Sequence, residues 1–286
     1  MFMCGIREKV ERLDERLCRF QFLTGNMLKL LAVTAMVIDH LCKIVLQWLL
    51  TDYWGEMAET GEMTWERFQQ IDTWIRFDLQ SVGAMAFPLF CFLLVEGFRH
   101  TGNRKRYLGT MLLFAVLSEI PFDIGFFSRY SIKEGTFPFY LEYQNVVFTL
   151  SLGLVTLECL VRLQETIGSR VGKAGTICFQ GLSVVLIAGV AEIIRCDYGM
   201  EGIWIVVAFF VGRKSRIGQV LLFLLAYMLT TGNQPTVWVL LACLAILLYN
   251  GTRGVRKIKY SCYVFYPAHI GLLYLVTLAL KQCLKG

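Results

Sequence analysis

The sequence predicts an all-α protein, a polytopic transmembrane helix bundle of about nine spans with a short N-terminal amphipathic helix. Apolar residue types make up 56% of the 286 residues and charged types only 17%, and the mean hydropathy is +0.55. Long apolar runs recur between short charged loops, and the basic residues concentrate in alternate loops. This composition excludes a soluble enzyme, a disordered chain and a disulfide-rich secreted module.

The N-terminal arm, residues 1–26, combines apolar residues at helical spacing with many charges. The apolar positions recur at steps of three and four: Ile6, Val10, Leu13, Leu17 and Phe20. This spacing is typical of an amphipathic helix that lies on a membrane surface. No short apolar stretch ends in small residues, so the arm does not resemble a cleaved signal. Residues 27–286 are expected to form a single transmembrane domain.

Continuous apolar runs define the spans, because a helix needs about 20 residues to cross the hydrocarbon core. Helix is favoured over strand since the runs are continuous and do not alternate. The sixth to eighth runs are short, which leaves their boundaries open to tilted or re-entrant helices. The predicted spans are 27–50, 79–98, 108–127, 144–163, 176–194, 198–212, 217–231, 235–249 and 260–280.

The loop charges predict an orientation. One alternate set of loops, which begins with the N-terminus, holds 19 Lys and Arg residues when Arg162 at the end of the fourth span is included, and the other set holds 7. Cytoplasmic loops carry the excess of basic residues in membrane proteins. The N-terminus is therefore expected in the cytoplasm and the C-terminus outside. The net charge of +6 then marks one face of a membrane protein, and no nucleic-acid partner is predicted.

The first span contains ionisable residues deep in the apolar run. His40 lies about 20 Å along the helix from Met27, near the middle of the bilayer. Asp39 and Lys43 are four residues apart on one helix face and can neutralise each other. An ionisable group in the hydrocarbon is costly and is a functional candidate by default. The alternative for His40 is a structural histidine whose hydrogen bonds are satisfied.

The third and last spans add polar groups at similar depth. Glu119 and Asp123 flank Pro121, and Glu119 lies about 17 Å from the inner end of its helix. His269 follows Tyr266 and lies about 14 Å into the last span. Two histidines and a carboxylate can therefore converge, with the imidazole as a general base and the carboxylate fixing its tautomer. The alternative is a polar cluster that only holds helices together.

The basic inner loops suggest a phosphate site. Arginine binds phosphate in bidentate fashion, although both loops also fit the plain excess of basic residues on the cytoplasmic side. The candidate residues are Arg99, His100, Arg104 and Arg106 in the loop 99–107, and Arg253 and Arg256 in the loop 250–259. The long outer loop 51–78 holds seven acids and three tryptophans, which fits an interfacial aromatic belt or the attraction of a cationic acceptor.

A series of short motifs follows in order along roughly residues 24–275. They are LKLLA (28–32) with MVIDH (36–40), AFPLFCFLLVEGFRHT (86–101), LSEIPFD (117–123), QNV (144–146), DYG (197–199), YNG (249–251) and YPxH (266–269). Together these motifs resemble the TraX family. Each piece alone is weak evidence, but the ordered series is strong. Only the N-terminal arm falls outside the resemblance.

The resemblance implies a bacterial inner-membrane acetyltransferase, related to the transmembrane acyltransferases, that uses acetyl-CoA as co-substrate. Family members acetylate the N-terminus of pilin, so the expected acceptor is a pilin-like peptide N-terminus or a surface glycan. His40 best matches the intramembrane histidine of the related enzymes, as a base or an acetyl carrier. Glu119 or Asp123 would hold the imidazole, while Asn145 and Tyr266 would donate hydrogen bonds to the oxyanion.

Two other classes remain open. A proton-coupled secondary transporter also uses ionisable groups at mid-membrane and proline-broken helices, although no inverted repeat is visible. A non-catalytic assembly factor would tolerate apolar residues at His40 and Glu119. The ten cysteines are scattered without a Cys-x-x-Cys pair, so no metal site is predicted.

Overall fold

A computed structural model describes residues 12–254 and 261–285. These residues are helical, as the composition predicted, and the extended pairings within them are two isolated bridges, Leu23 with Tyr249 and Gln144 with Cys196. The helical segments longer than ten residues are α1 (Gly25–Thr60), α2 (Trp65–His100), α3 (Arg104–Glu134), α4 (Val146–Thr166), α5 (Gly168–Ile193), α6 (Gly199–Val211), α7 (Arg216–Thr231), α8 (Val237–Leu247) and α9 (Ser261–Lys285).

Each predicted span overlaps one helix, but α1, α2 and α3 extend well beyond the predicted bounds, and the number of membrane spans stays a prediction. Six of them, α1 to α5 and α9, are long and apolar enough to cross a membrane. The predicted shortness of the sixth to eighth spans is confirmed, since α6, α7 and α8 are shorter apolar helices. The prediction of an all-α polytopic bundle is therefore confirmed, while the orientation in the membrane stays a prediction.

The prediction of a loop over 51–78 is wrong. α1 continues to Thr60 and α2 begins at Trp65, so only a tight turn separates them. Gly61 ends α1 with φ +81°, a left-handed conformation that glycine adopts at low cost. The Thr64 hydroxyl caps α2 by accepting a hydrogen bond from the Arg67 amide. Six of the seven acidic residues lie on helices and Glu62 lies in the turn, and all seven are exposed or half-buried.

The surface of α3 shows why the chain belongs in a membrane. Over residues 112–120 its exposed positions are apolar: Leu113, Val116, Leu117 and Ile120 are 44–61% exposed. Its buried positions include Ser118 and Asp123, each with no exposed surface. A helix with apolar side chains outside and polar ones inside has the reverse of the soluble pattern and fits a lipid environment. The protein is a multi-pass membrane protein.

The chain packs as two compact units, each described by itself. The first contains the described parts of Met1–Lys29, Pro88–Val116 and Glu142–Arg256, with an aromatic core in which Phe209 packs on Phe92 and Phe223. The second unit contains the described parts of Leu30–Phe87, Leu117–Leu141 and Lys257–Gly286. In it Cys42, Leu50 and Ile75 form a buried cluster between α1 and α2. A single domain over 27–286 stays a prediction.

The N-terminal arm is described only from residue 12 onward, so Ile6 and Val10 lie outside the described residues. Residues 12–17 are helical and Cys18–Phe20 form a 3₁₀ turn. Leu13 is 50% exposed and Phe20 67% exposed. Apolar side chains exposed on a short helix are compatible with a surface-lying arm, which stays a prediction.

Candidate active site

Two histidines form a direct pair in the second unit. His40 on α1 and His269 on α9 are joined by a hydrogen bond of 2.7 Å between His40 Nδ1 and His269 Nε2. His269 Nδ1 is 2.9 Å from the carbonyl oxygen of Phe265, one turn earlier on the same helix. The His40 Nε2 atom has no hydrogen-bond partner among the residues that the structure describes. This histidine pair is the centre of the candidate site.

Aromatic rings surround the histidine pair. Phe126 on α3 meets the His40 ring edge to face, with centroids 5.1 Å apart. Tyr266 lies against both imidazoles, with centroid distances of 6.1 and 5.8 Å. Phe265 is parallel to the His269 ring at 5.0 Å. These rings fix the two imidazoles and lower the local dielectric constant, which strengthens the hydrogen bond between them.

Close helix approach beside the pair depends on a glycine. A Cβ atom on Gly125 of α3 would lie 2.6 Å from Ile270 Cγ2 and 3.3 Å from Ile44 Cδ1. Ile270 follows His269 directly on α9 and has no exposed surface. The missing side chain at residue 125 therefore lets α3 pack against α1 and α9 at the level of the histidine pair.

Asp39 is held apart from the neighbouring imidazole. Its Oδ2 forms an ion pair of 2.8 Å with Lys43 Nζ one turn along α1, as the i,i+4 spacing predicted. Gly83 on α2 packs so closely on Asp39 that a Cβ atom there would lie 2.6 Å from Asp39 Cβ. The ion pair neutralises both charges in the membrane-spanning segment, so Asp39 has a structural role beside the pair.

Of the two carboxylates predicted to hold the His40 imidazole, Asp123 is engaged elsewhere. The group that orients His40 through Nδ1 is His269, which is a second imidazole. Asp123 instead accepts a hydrogen bond of 2.9 Å from the Tyr140 amide through Oδ2. Its carboxylate thus anchors the segment after α3. Glu119 lies on the same helix, half-buried, and its predicted role stays a prediction.

Asn145 is used structurally. Its Oδ1 accepts a hydrogen bond from the Val147 amide at 3.0 Å and so caps α4. Its Nδ2 donates to the Ala115 carbonyl of α3 at 2.9 Å, and the residue has no exposed surface. Because both polar atoms are engaged, the predicted role as an oxyanion donor is not supported. Tyr266, the other predicted oxyanion donor, is buried beside the histidine pair, which fits a role at the site.

Replacing Asn145 with alanine is expected to lower the free energy of unfolding by about 1–2 kcal/mol, because the cap of α4 and the link to α3 are both lost. Asn103→Ala is the matched control, since Asn103 Oδ1 caps α3 through the Arg106 amide at an exposed position. Its effect should be smaller. Thermal unfolding in detergent, followed by tryptophan fluorescence, measures both. Equal losses would contradict a special role for the buried cap.

The predicted phosphate-binding residues divide into two groups. Arg104 pairs with Glu158 at 3.4 Å and lies over the Phe98 ring. Arg106 and Arg253 are exposed, and Arg253 accepts a hydrogen bond from the Asn26 amide through its backbone carbonyl. Arg256 lies outside the described residues. These side chains form no common site among the described residues.

The other group is a built cluster that sequence reasoning only partly found. Arg99 Nη1 binds Glu96 Oε1 at 2.7 Å, and Arg216 Nη2 lies 3.3 Å from Glu96 Oε2. His100 Nδ1 lies 2.8 Å from the Glu96 carbonyl oxygen. Glu96 was missed, although it is an ionisable residue inside a predicted span, which is the same signal that identified His40. Arg216 was counted only as a loop charge.

Comparison with known proteins agrees with these motifs. The TraX protein family model matches residues 24–277. A protein of Dichelobacter nodosus named as a probable fimbrial assembly protein, FimC of serogroup H1, is 28% identical over 263 residues, which cover 86% of this chain and 92% of that protein. No solved structure matches. Since the family model covers most of the chain, including both members of the histidine pair, the chain belongs to the TraX family.

Proposed function

We propose that this protein is a membrane acetyltransferase that moves an acetyl group from acetyl-CoA to an amine or hydroxyl acceptor, with His40 as the base. The hydrogen bond between His40 Nδ1 and His269 Nε2 carries the proposal. Among the residues that the structure describes, it leaves the second nitrogen of His40 without a hydrogen-bond partner, in an apolar setting of aromatic rings. Imidazole is the side chain best suited to take up a proton near neutral pH.

The tautomers follow from the acceptors. The Phe265 carbonyl only accepts hydrogen bonds, so His269 carries its proton on Nδ1. A neutral His269 then has a lone pair on Nε2, which accepts the Nδ1 proton of His40. A neutral His40 therefore presents a lone pair on Nε2. The carbonyl and the two imidazoles together fix the one tautomer of His40 that acts as a base through that atom.

The reaction follows from this tautomer. As the acceptor nitrogen or oxygen forms its bond to the thioester carbonyl carbon, its proton passes to His40 Nε2. The C–S bond then breaks, and the thiolate of the donor takes the proton back. His269 stabilises the transient imidazolium of His40 by accepting its Nδ1 hydrogen bond. An acetyl carrier role would use the same Nε2 lone pair as the nucleophile.

The acceptor and location are proposed from the family and the relative. The fimbrial assembly name of the Dichelobacter nodosus protein favours a pilin-like peptide N-terminus, with a surface glycan as the other candidate. The bacterial inner membrane is the proposed location, because acetyl-CoA is made in the cytoplasm. The acidic residues of the hairpin between α1 and α2 would attract a cationic peptide N-terminus.

Purified protein in nanodiscs with labelled acetyl-CoA and a pilin N-terminal peptide tests the proposal. Label is expected on the peptide in the presence of protein and not with heat-treated protein. Proteoliposomes without acetyl-CoA provide the complementary measurement. Proton-driven uptake of a substrate, without any acetyl transfer to peptide or glycan, would favour a transporter and contradict the proposal.

A further inference from the structure

A cluster of charged residues in the first unit has more positive charge than its own carboxylate balances. The arginine cluster consists of Glu96, Arg99, Arg213 and Arg216. Glu96 has only 7% of its side chain exposed, and its two oxygens each receive one guanidinium, from Arg99 and from Arg216. Its capacity for further strong ion pairs is thus largely used.

The third arginine is held without a carboxylate. Arg213 lies in the turn between α6 and α7, with its guanidinium 4.0 Å above the Phe210 ring and Nη1 donating to the Phe210 carbonyl at 2.7 Å. Burial, together with the positive charge of Arg99, lowers the pKa of the Arg213 guanidinium. No ion pair to an acid among the described residues includes it. Three positive charges and one negative charge leave the cluster at a net +2.

The arginine cluster is also held by further contacts. Arg216 donates to Gln219 Oε1 at 2.8 Å. Its guanidinium carbon lies 5.1 Å from the Phe92 centroid and 4.7 Å from the Tyr249 centroid, over two rings that contact each other. Its side chain is only 18% exposed. Basic residues that merely mark the cytoplasmic side need no such support, and the exposed Arg106 and Arg253 show none. Fixed guanidinium groups bind an anion without a further loss of side-chain entropy.

We infer that the arginine cluster binds the diphosphate of the acetyl donor, with Arg213 and Arg216 as phosphate ligands and Glu96 as the residue that positions Arg99 and Arg216. The inference rests on the proposed function, because it takes a nucleotide-linked thioester as the donor. A diphosphate carries about two negative charges and presents pairs of oxygens that match the guanidinium fork. A net +2 cluster at the predicted cytoplasmic side is complementary in charge and position.

Equilibrium binding of coenzyme A to the full chain in phosphatidylcholine nanodiscs tests the inference without turnover. Arg213→Gln and Arg216→Gln should each weaken binding by about tenfold or more, since a charge-assisted hydrogen-bond pair is lost. Arg162→Gln is the matched control with the same change in charge, because Arg162 pairs with Glu158 on the exposed surface of α4. It should leave binding unchanged. Inorganic pyrophosphate should compete with coenzyme A for binding. Pantetheine lacks the phosphates and should bind to wild type and variants with equal affinity.

A second variant tests whether weaker binding by Arg213→Gln comes from misfolding. The Arg213 guanidinium donates to the Phe210 carbonyl and lies over the Phe210 ring. Arg213→Lys keeps the charge and loses the fork, so it should bind with intermediate affinity. Equal coenzyme A affinity in wild type, Arg213→Gln and Arg216→Gln would overturn the inference even if acetyl transfer proceeds. Cluster-dependent binding without acetyl transfer would support the inference while removing the proposed function. Thermal stabilisation by anionic lipid with no coenzyme A binding would identify a lipid headgroup as the phosphate source and overturn the assignment.

Discussion

Replacing His40 with alanine is expected to lower the rate of acetyl transfer by about 10²–10⁴-fold, because the base is removed from the reaction. His40→Gln separates catalysis from packing, since its amide can still donate to His269 Nε2 but does not take up a proton. It should be as inactive as His40→Ala and as stable as wild type. The measurement is labelled acetyl transfer in nanodiscs together with thermal unfolding.

The control for His40 is Thr34→Ala, an exposed position on the same helix, which should keep the wild-type rate. His269→Phe removes the acceptor of the His40 Nδ1 proton and should lower the rate by roughly tenfold, without abolishing it. A wild-type rate in His40→Gln would mean that the histidine pair only holds α1 and α9 together. Acid-labile label that appears on the wild-type protein before acceptor is added, and is absent from His40→Gln, would identify His40 as an acetyl carrier.

Replacing Gly125 with alanine is expected to destabilise the protein by about 1–3 kcal/mol and to reduce acetyl transfer as well. The added Cβ would lie 2.6 Å from Ile270 Cγ2, so α3 and α9 have to move apart. Because His269 precedes Ile270, that movement lengthens its hydrogen bond to His40. Thermal unfolding and labelled acetyl transfer measure the two effects in the same preparation.

Two further variants test whether the effect of Gly125→Ala comes from its contact with Ile270. Gly181→Ala on α5 places its Cβ in open space, and alanine in a helix is favoured over glycine by up to about 1 kcal/mol, so stability should hold or rise. Ile270→Ala removes the Cγ2 methyl group that the new Cβ would meet. The double variant should recover transfer activity relative to Gly125→Ala. A rate in Gly125→Ala equal to that of Gly181→Ala would show that the close approach does not support the site.

The membrane spans could be predicted because the free energy that favours each helix depends on residues within that stretch of chain. A helix across the hydrocarbon core satisfies its own backbone hydrogen bonds, so length and apolar content suffice to place it. The same reasoning failed over 51–78, where acidic residues suggested a loop. A helix tolerates charges on its solvated face, and the turn depended on the single positive φ of Gly61.

The sequence predicted which residues form the candidate site better than it predicted which of them contact one another. The cost of an ionisable group in the membrane identified His40 and His269 without any contact information. It gave no means to decide whether a carboxylate or a histidine would orient His40. The same limit applies to Asn145. An asparagine suits both a helix cap and an oxyanion donor, so the residue type alone does not distinguish the two roles.

The sequence by itself determined the membrane class, the helices and the polar residues that merit attention, since each follows from the transfer free energy of a short stretch of chain. Only the tertiary structure decided that His269 contacts His40 across 229 positions of the chain, and that Glu96 gathers Arg99 and Arg216. Such pairings depend on helix packing, as the histidine pair depends on the close approach at Gly125, and packing is set by many distant side chains at once.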